Sequence, residues 1–227
     1  FSRYYHATEE GNWEEERTNV FYRGDDTDLL TGAGITAEDL AARIRSAREK
    51  VFRARSARVR PALDNKILAS WNGMMLKACA DAYRVFGEKN FLDTALRNGR
   101  FILDNLFKDG TLVRVYDGSR SSPAFLDDHA FIIEAFIGLY ESTFDEAWLL
   151  RAREMTEYTL SDFYDKENGL FYYTPASGEQ LIARQQEILD NVIPSSNSVM
   201  AHNLLRLGHL FDLPRYLDIS GQMLKNV

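Results

Sequence analysis

Leu63-Asp64-Asn65, Leu126-Asp127-Asp128 and Leu189-Asp190-Asn191 repeat one Leu-Asp-polar pattern, with the aspartates 63 residues apart (64, 127, 190). Each triplet opens a helix-like stretch, so the chain reads as a tandem array of long units rather than a fold of unrelated elements. Two further anchors recur in the same order. Phe86-Gly87, Phe144-Asp145 and Phe211-Asp212 mark a turn, and Phe91-Leu92, Trp148-Leu149 and Tyr216-Leu217 open the stretch after it. The turn anchors drift in spacing, so the equal Asp spacing is partly fortuitous.

Each unit pairs two unlike helices. The first helix of the first unit, from about 65 to 86, is apolar around most of its circumference (Ile67, Leu68, Trp71, Met74, Met75, Leu76, Val85), which requires burial on several sides. The next, about 91–107, carries an apolar stripe and a polar back with Asp93, Arg97, Arg100 and Asp104. The second unit repeats the contrast, and the third begins it again at Ser198. Inner helices covered by amphipathic outer ones predict an all-α fold, a partial α/α toroid of helical hairpins. Residues 61–227 supply three hairpins, and the runs 112–116 and 170–173 predict short β excursions at the rim. Residues 1–60 read as a loop-rich connector with one helix, capped by Thr36 and running to about Arg58, where Pro61 disfavours its continuation.

Composition narrows the function classes. With 227 residues, 45% of them hydrophobic, the chain can bury a large core, and a formal net charge of -7 argues against nucleic acid as a partner. The lone Cys79 excludes an internal disulfide framework and fits a reducing, cytoplasmic setting. The most apolar run, 131–140, is too short for a membrane span. No metal or cofactor motif is evident. The start at Phe1 and the end within a helical pattern lead to the expectation of further chain on both sides. Charge is segregated: Glu9, Glu10, Glu14, Glu15, Glu16, Asp25, Asp26 and Asp28 precede a helix bearing Arg43, Arg45, Arg48, Lys50, Arg53, Arg55 and Arg58. A solvated flank explains this pattern, and so does an anionic partner surface.

If the unit openings share one mouth, Asp64, Asp127 and Asp190 converge there. Glycoside cleavage needs one carboxylic acid to protonate the leaving oxygen and a second carboxylate on the opposite face, so Asp64, Asp127 and Asp128 are the candidate catalytic groups. N-capping explains the same residues without catalysis. Trp71 offers a face for sugar stacking and Asn72 an amide for hydroxyls; core packing is the competing reading for the indole. Lys66, Asp190, Ser195 and Asn197 complete a candidate substrate-binding set, although Ser195 or Asn197 also suits a helix cap. Arg114 could bind a substrate oxygen or serve the surface. Epimerisation instead needs a base that works near neutral pH, for which His129 and His202 are candidates beside ordinary structural roles.

The motifs Arg60-Pro61-Ala62-Leu63-Asp64-Asn65-Lys66, Ser70-Trp71-Asn72-Gly73-Met74-Met75, Phe125-Leu126-Asp127-Asp128-His129-Ala130-Phe131 and Pro194-Ser195-Ser196-Asn197-Ser198 resemble the spermatogenesis-associated protein 20 family. Tyr4-Tyr5, Gly11-Asn12-Trp13-Glu14 and Asn19-Val20 fit its connector. Asn65 and His129 depart from the acidic residue and the tyrosine expected at those places. The resemblance implies a six-hairpin, glycosidase-like toroid, of which this chain would supply the connector and about half. It also implies a thioredoxin-like domain elsewhere in the same polypeptide. A sugar-like small molecule is then the expected ligand, through glycoside hydrolysis or sugar epimerisation. The alternative is a non-catalytic interaction module that works with the thioredoxin-like domain.

Overall fold

A computed structural model describes the chain except for residues 25–29, 31, 33, 109–110, 119, 180–181 and 226–227, and the side chains of Lys108, Arg120 and Ser121. The acidic Asp25, Asp26 and Asp28 therefore lie outside the described residues. The chain divides into two compact units, Phe1–Asp64 and Asn65–Val227.

In the first unit, two asparagines order the loop-rich segment. Asn12 Nδ2 donates to the carbonyls of His6 and Val20 and its Oδ1 accepts from Val20 N, while Asn19 exchanges two bonds with the backbone of Thr8. Helix α1 (Ala37–Ser56) follows. Thr36 caps it by accepting from Asp39 N, and Glu38 and Asp39 place negative charge at its positive end.

Among the described residues, the second unit contains six α-helices: α2 (Ala69–Phe86), α3 (Lys89–Phe101), α4 (Leu126–Thr143), α5 (Glu146–Asp162), α6 (Ser196–Leu210) and α7 (Pro214–Met223). They pair as three hairpins, α2 with α3, α4 with α5 and α6 with α7, and the inner members α2, α4 and α6 pack side by side in that order. This is a partial α/α toroid. A π-helical turn (Ile102–Leu106) extends α3. At the rim, β3 (Thr111–Tyr116) pairs antiparallel with β1 (Ile67–Leu68), β2 (Phe107–Lys108) and β4 (Arg120–Pro123). A second small hairpin joins β5 (Tyr164–Asp165) to β6 (Leu170–Phe171).

Close approach of the inner helices depends on small residues. A Cβ on Gly73 of α2 would lie 2.8 Å from the backbone carbon of Phe131 on α4, so only glycine fits. On the other flank, Asn203 Nδ2 of α6 donates 2.8 Å to the Ala130 carbonyl of α4. Towards their C-terminal ends the three inner helices meet at Glu141, whose carboxylate pairs with Arg84 of α2 and Arg206 of α6.

Two expectations are corrected. Only the Leu126 triplet opens a helix directly. Asp64 and Lys66 precede a strand, because Ile67 and Leu68 pair with Val115 and Tyr116, and α2 begins at Ala69 rather than near Asn65. Asp190 precedes a turn that ends at the Ser195 cap. Nor are all inner helices enclosed: α4 is buried throughout its first two turns, whereas α2 exposes Trp71 (64%), Met75 (60%) and Val85 (74%). Helix α4 has an inner neighbour on each side, and α2 has α4 on one side only.

Candidate functional site

The first turn of α4 gathers two buried aspartates on one arginine. Asp128 is fully buried and accepts from three directions. Its Oδ2 takes the N–H of Phe125 at 3.0 Å and Nη1 of Arg114 at 2.9 Å, and its Oδ1 takes the N–H of Ser70 at 3.0 Å. One carboxylate thus satisfies orphan amides at the openings of both α2 and α4, a role usually taken by a separate cap on each helix. Asp127, 5% exposed, faces the same guanidinium, with Arg114 Nη1 at 2.9 and 3.2 Å from its two oxygens.

Arg114 reaches this position from β3, its guanidinium carbon 4.9 Å from the centre of the Phe125 ring. Burial disfavours its charge, but Asp128 and Asp127 outweigh that cost and raise its pKa above the ordinary value. Burial and the adjacent Asp127 charge push the Asp128 carboxyl up to about 6, against the Phe125 amide, Arg114 and the Ser70 amide. Tyr173 joins from the segment after β6. Burial first, then the Asp127 charge, push its phenol up to about 12, and its hydroxyl bonds to Asp127. A carboxylate, a guanidinium and a phenol therefore meet at the start of the second inner helix. This set can orient a polar ligand and move a proton.

The other candidates distribute differently. Asp190 Oδ1 accepts from Ser195 N at 2.8 Å and so braces the turn into α6. Ser195 is the α6 cap, accepting from Ser198 N. Buried Asn197 ties three backbone groups: it accepts from Phe171 N and donates to the carbonyls of Phe171 and Glu187. Asn72 spends its side-chain N–H on the Leu68 carbonyl of its own helix opening. Trp71, one residue beyond Ser70, presents its indole to solvent. Lys66 is exposed just before β1, and Asp64, also exposed, closes the first unit. The structure thus gathers Asp127 and Asp128 on Arg114 and engages Asp190 elsewhere.

His129 also departs from the cluster. It follows Asp127 by two residues, so its side chain leaves the helix about 200° away. There it is 2% exposed among Tyr158 and Phe163, whereas His202 is exposed on α6. Tyr173 had no sequence signal beyond its place at the end of a strand-like run. Among the described residues no group of three or more His, Cys, Asp or Glu side chains could hold a metal ion, and no helix is long and apolar enough to cross a membrane.

No family model matches the chain. Among curated proteins, it is 34% identical over 225 residues to spermatogenesis-associated protein 20 of Rattus norvegicus, covering 93% of this chain and 28% of that protein. It is 35% identical over 192 residues to the Homo sapiens counterpart, covering 78% and 24%. The chain therefore spans about a quarter of the length of these relatives. Solved structures with the same hairpin arrangement include a GH76 alpha-mannanase from Bacteroides thetaiotaomicron, with TM-score 0.59, 17% identity, and coverage of 75% of this chain and 45% of that one. Cellobiose 2-epimerase from Bacillus thermoamylovorans gives TM-score 0.59 at 16% identity, over 71% and 44%. An alpha-1,6-mannanase from Salegentibacter, with TM-score 0.59, 15% identity and coverage of 70% and 46%, is an inactive variant with two consecutive aspartates replaced by asparagine, in complex with alpha-1,6-mannotriose. At these identities the structures share the fold alone. The sequence identity to the curated relatives, the ordered motifs and the toroid of inner and outer helices together place this chain in the spermatogenesis-associated protein 20 family.

Proposed function

We propose that the second unit carries a carbohydrate site of the toroid, centred on Asp127, Arg114 and Tyr173, which performs acid/base chemistry on a sugar-like substrate. The observation that carries this reading is the pair of consecutive aspartates converging on one guanidinium at the opening of the second inner helix. Consecutive aspartates are also what is replaced in the inactive mannanase of the same fold. In this reading Asp127 exchanges the proton, Arg114 and Tyr173 bind sugar oxygens, and Asp128 positions Arg114. Trp71 supplies a stacking face. Both carboxylates have an oxygen 2.9 Å from the same Nη1.

The test is turnover of alpha-1,6-mannotriose, cellobiose and D-mannose by the wild-type chain and by Asp127→Asn. A loss of at least 100-fold, with the melting temperature unchanged, is expected for a group that moves a proton. Turnover unchanged in Asp127→Asn would remove the catalytic assignment. A second reading is favoured by the closed state of the ion cluster, in which Arg114 already occupies both carboxylates: a binding module without turnover that serves a thioredoxin-like domain of the same polypeptide. Saturable sugar binding with no turnover of any of the three sugars would select it.

A further inference from the structure

The first unit carries a groove of about 950 Å³ between its loop-rich segment and α1. One wall is a cluster of three rings, in which Phe1 lies 4.9 Å from Tyr5 and 5.6 Å from Phe21, centre to centre. The other wall is a face of α1 that bears Arg45, Arg48, Phe52 and Arg55. Their spacings of three and four residues align them along roughly 15 Å of one side of the helix. Against these three guanidiniums the groove sets a single carboxylate, that of Glu49. Arg45, Arg48 and Arg55 are exposed, and none of them forms a salt bridge among the described residues. Phe1, Phe21 and Phe52 are exposed as well.

The same unit carries the complement. Trp13 and Thr18 bridge across a turn, with Trp13 N donating to the Thr18 carbonyl at 3.0 Å. Between them lie Glu14, Glu15 and Glu16, with Arg17 as the one cation. Asn12 fixes the base of this turn through its bonds to His6 and Val20. The three glutamates are exposed, as are Glu9 and Glu10 ahead of them, and among the described residues none of the five forms a salt bridge. The indole of Trp13 is 49% exposed. The turn thus offers carboxylates beside an aromatic ring, and the groove offers guanidiniums beside aromatic rings. Carboxylate–guanidinium pairs are strong charge-assisted hydrogen bonds, an indole stacks on guanidiniums, and Trp and Arg are frequent anchors of protein interfaces. Within one copy neither set engages the other.

We propose that the groove receives the Trp13–Thr18 turn of a second copy of this chain. Because groove and turn belong to the same unit, two copies related by a two-fold axis each give a turn and take one, which doubles the contact. The net charge of -7 repels like copies, but at ~0.15 M salt that repulsion is screened beyond about 8 Å while pairs in contact persist. The test is sedimentation velocity of the chain carrying Met75→Lys and Val85→Lys, which removes the exposed side chains of α2 as another source of association. This parent should dimerise at ~0.15 M salt and associate about ten-fold more weakly at ~1 M. Arg45→Glu with Arg48→Glu sets an acidic groove against an acidic turn. Glu14→Arg, Glu15→Arg and Glu16→Arg together set a basic turn against a basic groove. Each charge variant alone should be monomeric, and their equimolar mixture should form a heterodimer, since both contacts then join opposite charges. Trp13→Ala changes no charge and should weaken the dimer at least five-fold, which keeps the test decisive if a charge variant fails to fold. The proposal is overturned if the parent stays monomeric, if any folded variant alone dimerises as tightly as the parent, or if the folded charge variants stay monomeric when mixed. A monomeric parent that binds a tetraglutamate peptide would give the groove to a different acidic partner and overturn it equally.

Discussion

Asp128 and His129 are adjacent in sequence, yet burial acts on them in opposite senses. The folded Asp128 carboxyl, facing Asp127 and Arg114, titrates near 6 against about 3.9 when unfolded. Between those values the folded state binds more protons, so this group's contribution to stability falls as pH rises. His129, facing Tyr158 and Asp162, titrates near 4 against about 6.5 unfolded. There the unfolded state binds more protons, so its contribution falls as pH drops. Each slope is about 1 kcal/mol per pH unit at most, and the two oppose across pH 4 to 6. Urea denaturation should find wild-type stability nearly level over this window. Asp128→Asn should become acid-labile, and His129→Phe should gain stability towards pH 4; parallel slopes in the two variants would contradict the burial argument. The aspartate pair was readable from sequence because adjacency at a helix opening is a local signal. The partnership with Arg114 was not, since it depends on a rim hairpin folding back over α4. The supposed equivalence of Asp64, Asp127 and Asp190 fails locally: a strand follows the first, a helix contains the second and a turn follows the third.

The alternation of enclosed and amphipathic helices announced the hairpins correctly, because burial periodicity is written residue by residue. What periodicity could not show was how closely the inner helices approach. Gly73 sits in a helical run, where alanine would ordinarily gain up to about 1 kcal/mol. Here the added methyl would meet the Phe131 backbone, which cannot swing aside as a side chain could. Gly73→Ala should therefore destabilise the unit by about 1–3 kcal/mol, read as a melting temperature lower by several degrees. An unchanged or raised value would mean that α2 and α4 are not seated as described. The β excursions were also legible as short runs between turns, but pairing of Ile67-Leu68 with β3 was not, because two apolar residues before a helix read as its first turn.

At the largest scale, the three hairpins of the second unit form an arc whose middle inner helix is sheathed and whose first is not. Trp71, Met75, Ala78 and Val85 lie along one face of α2 at helical spacing, and all are exposed. An apolar strip of this kind favours association with another surface. Met75→Lys combined with Val85→Lys should lower the self-association of this chain in sedimentation velocity and leave its unfolding free energy within about 0.5 kcal/mol. A loss of several kcal/mol would show instead that the strip is covered within the monomer. At this scale the sequence told the architecture through repetition, whereas the uneven exposure of equivalent helices follows from their positions in the arc.

The single guanidinium shared by Asp127 and Asp128 has a consequence for inheritance and engineering. The arginine belongs to the rim hairpin and both acids to the neighbouring helix, so the two stretches behave as one cassette. A chimera that transplants either half alone strands two adjacent carboxylates or a cation without its acids, and only their joint exchange keeps the acids and their shared cation together.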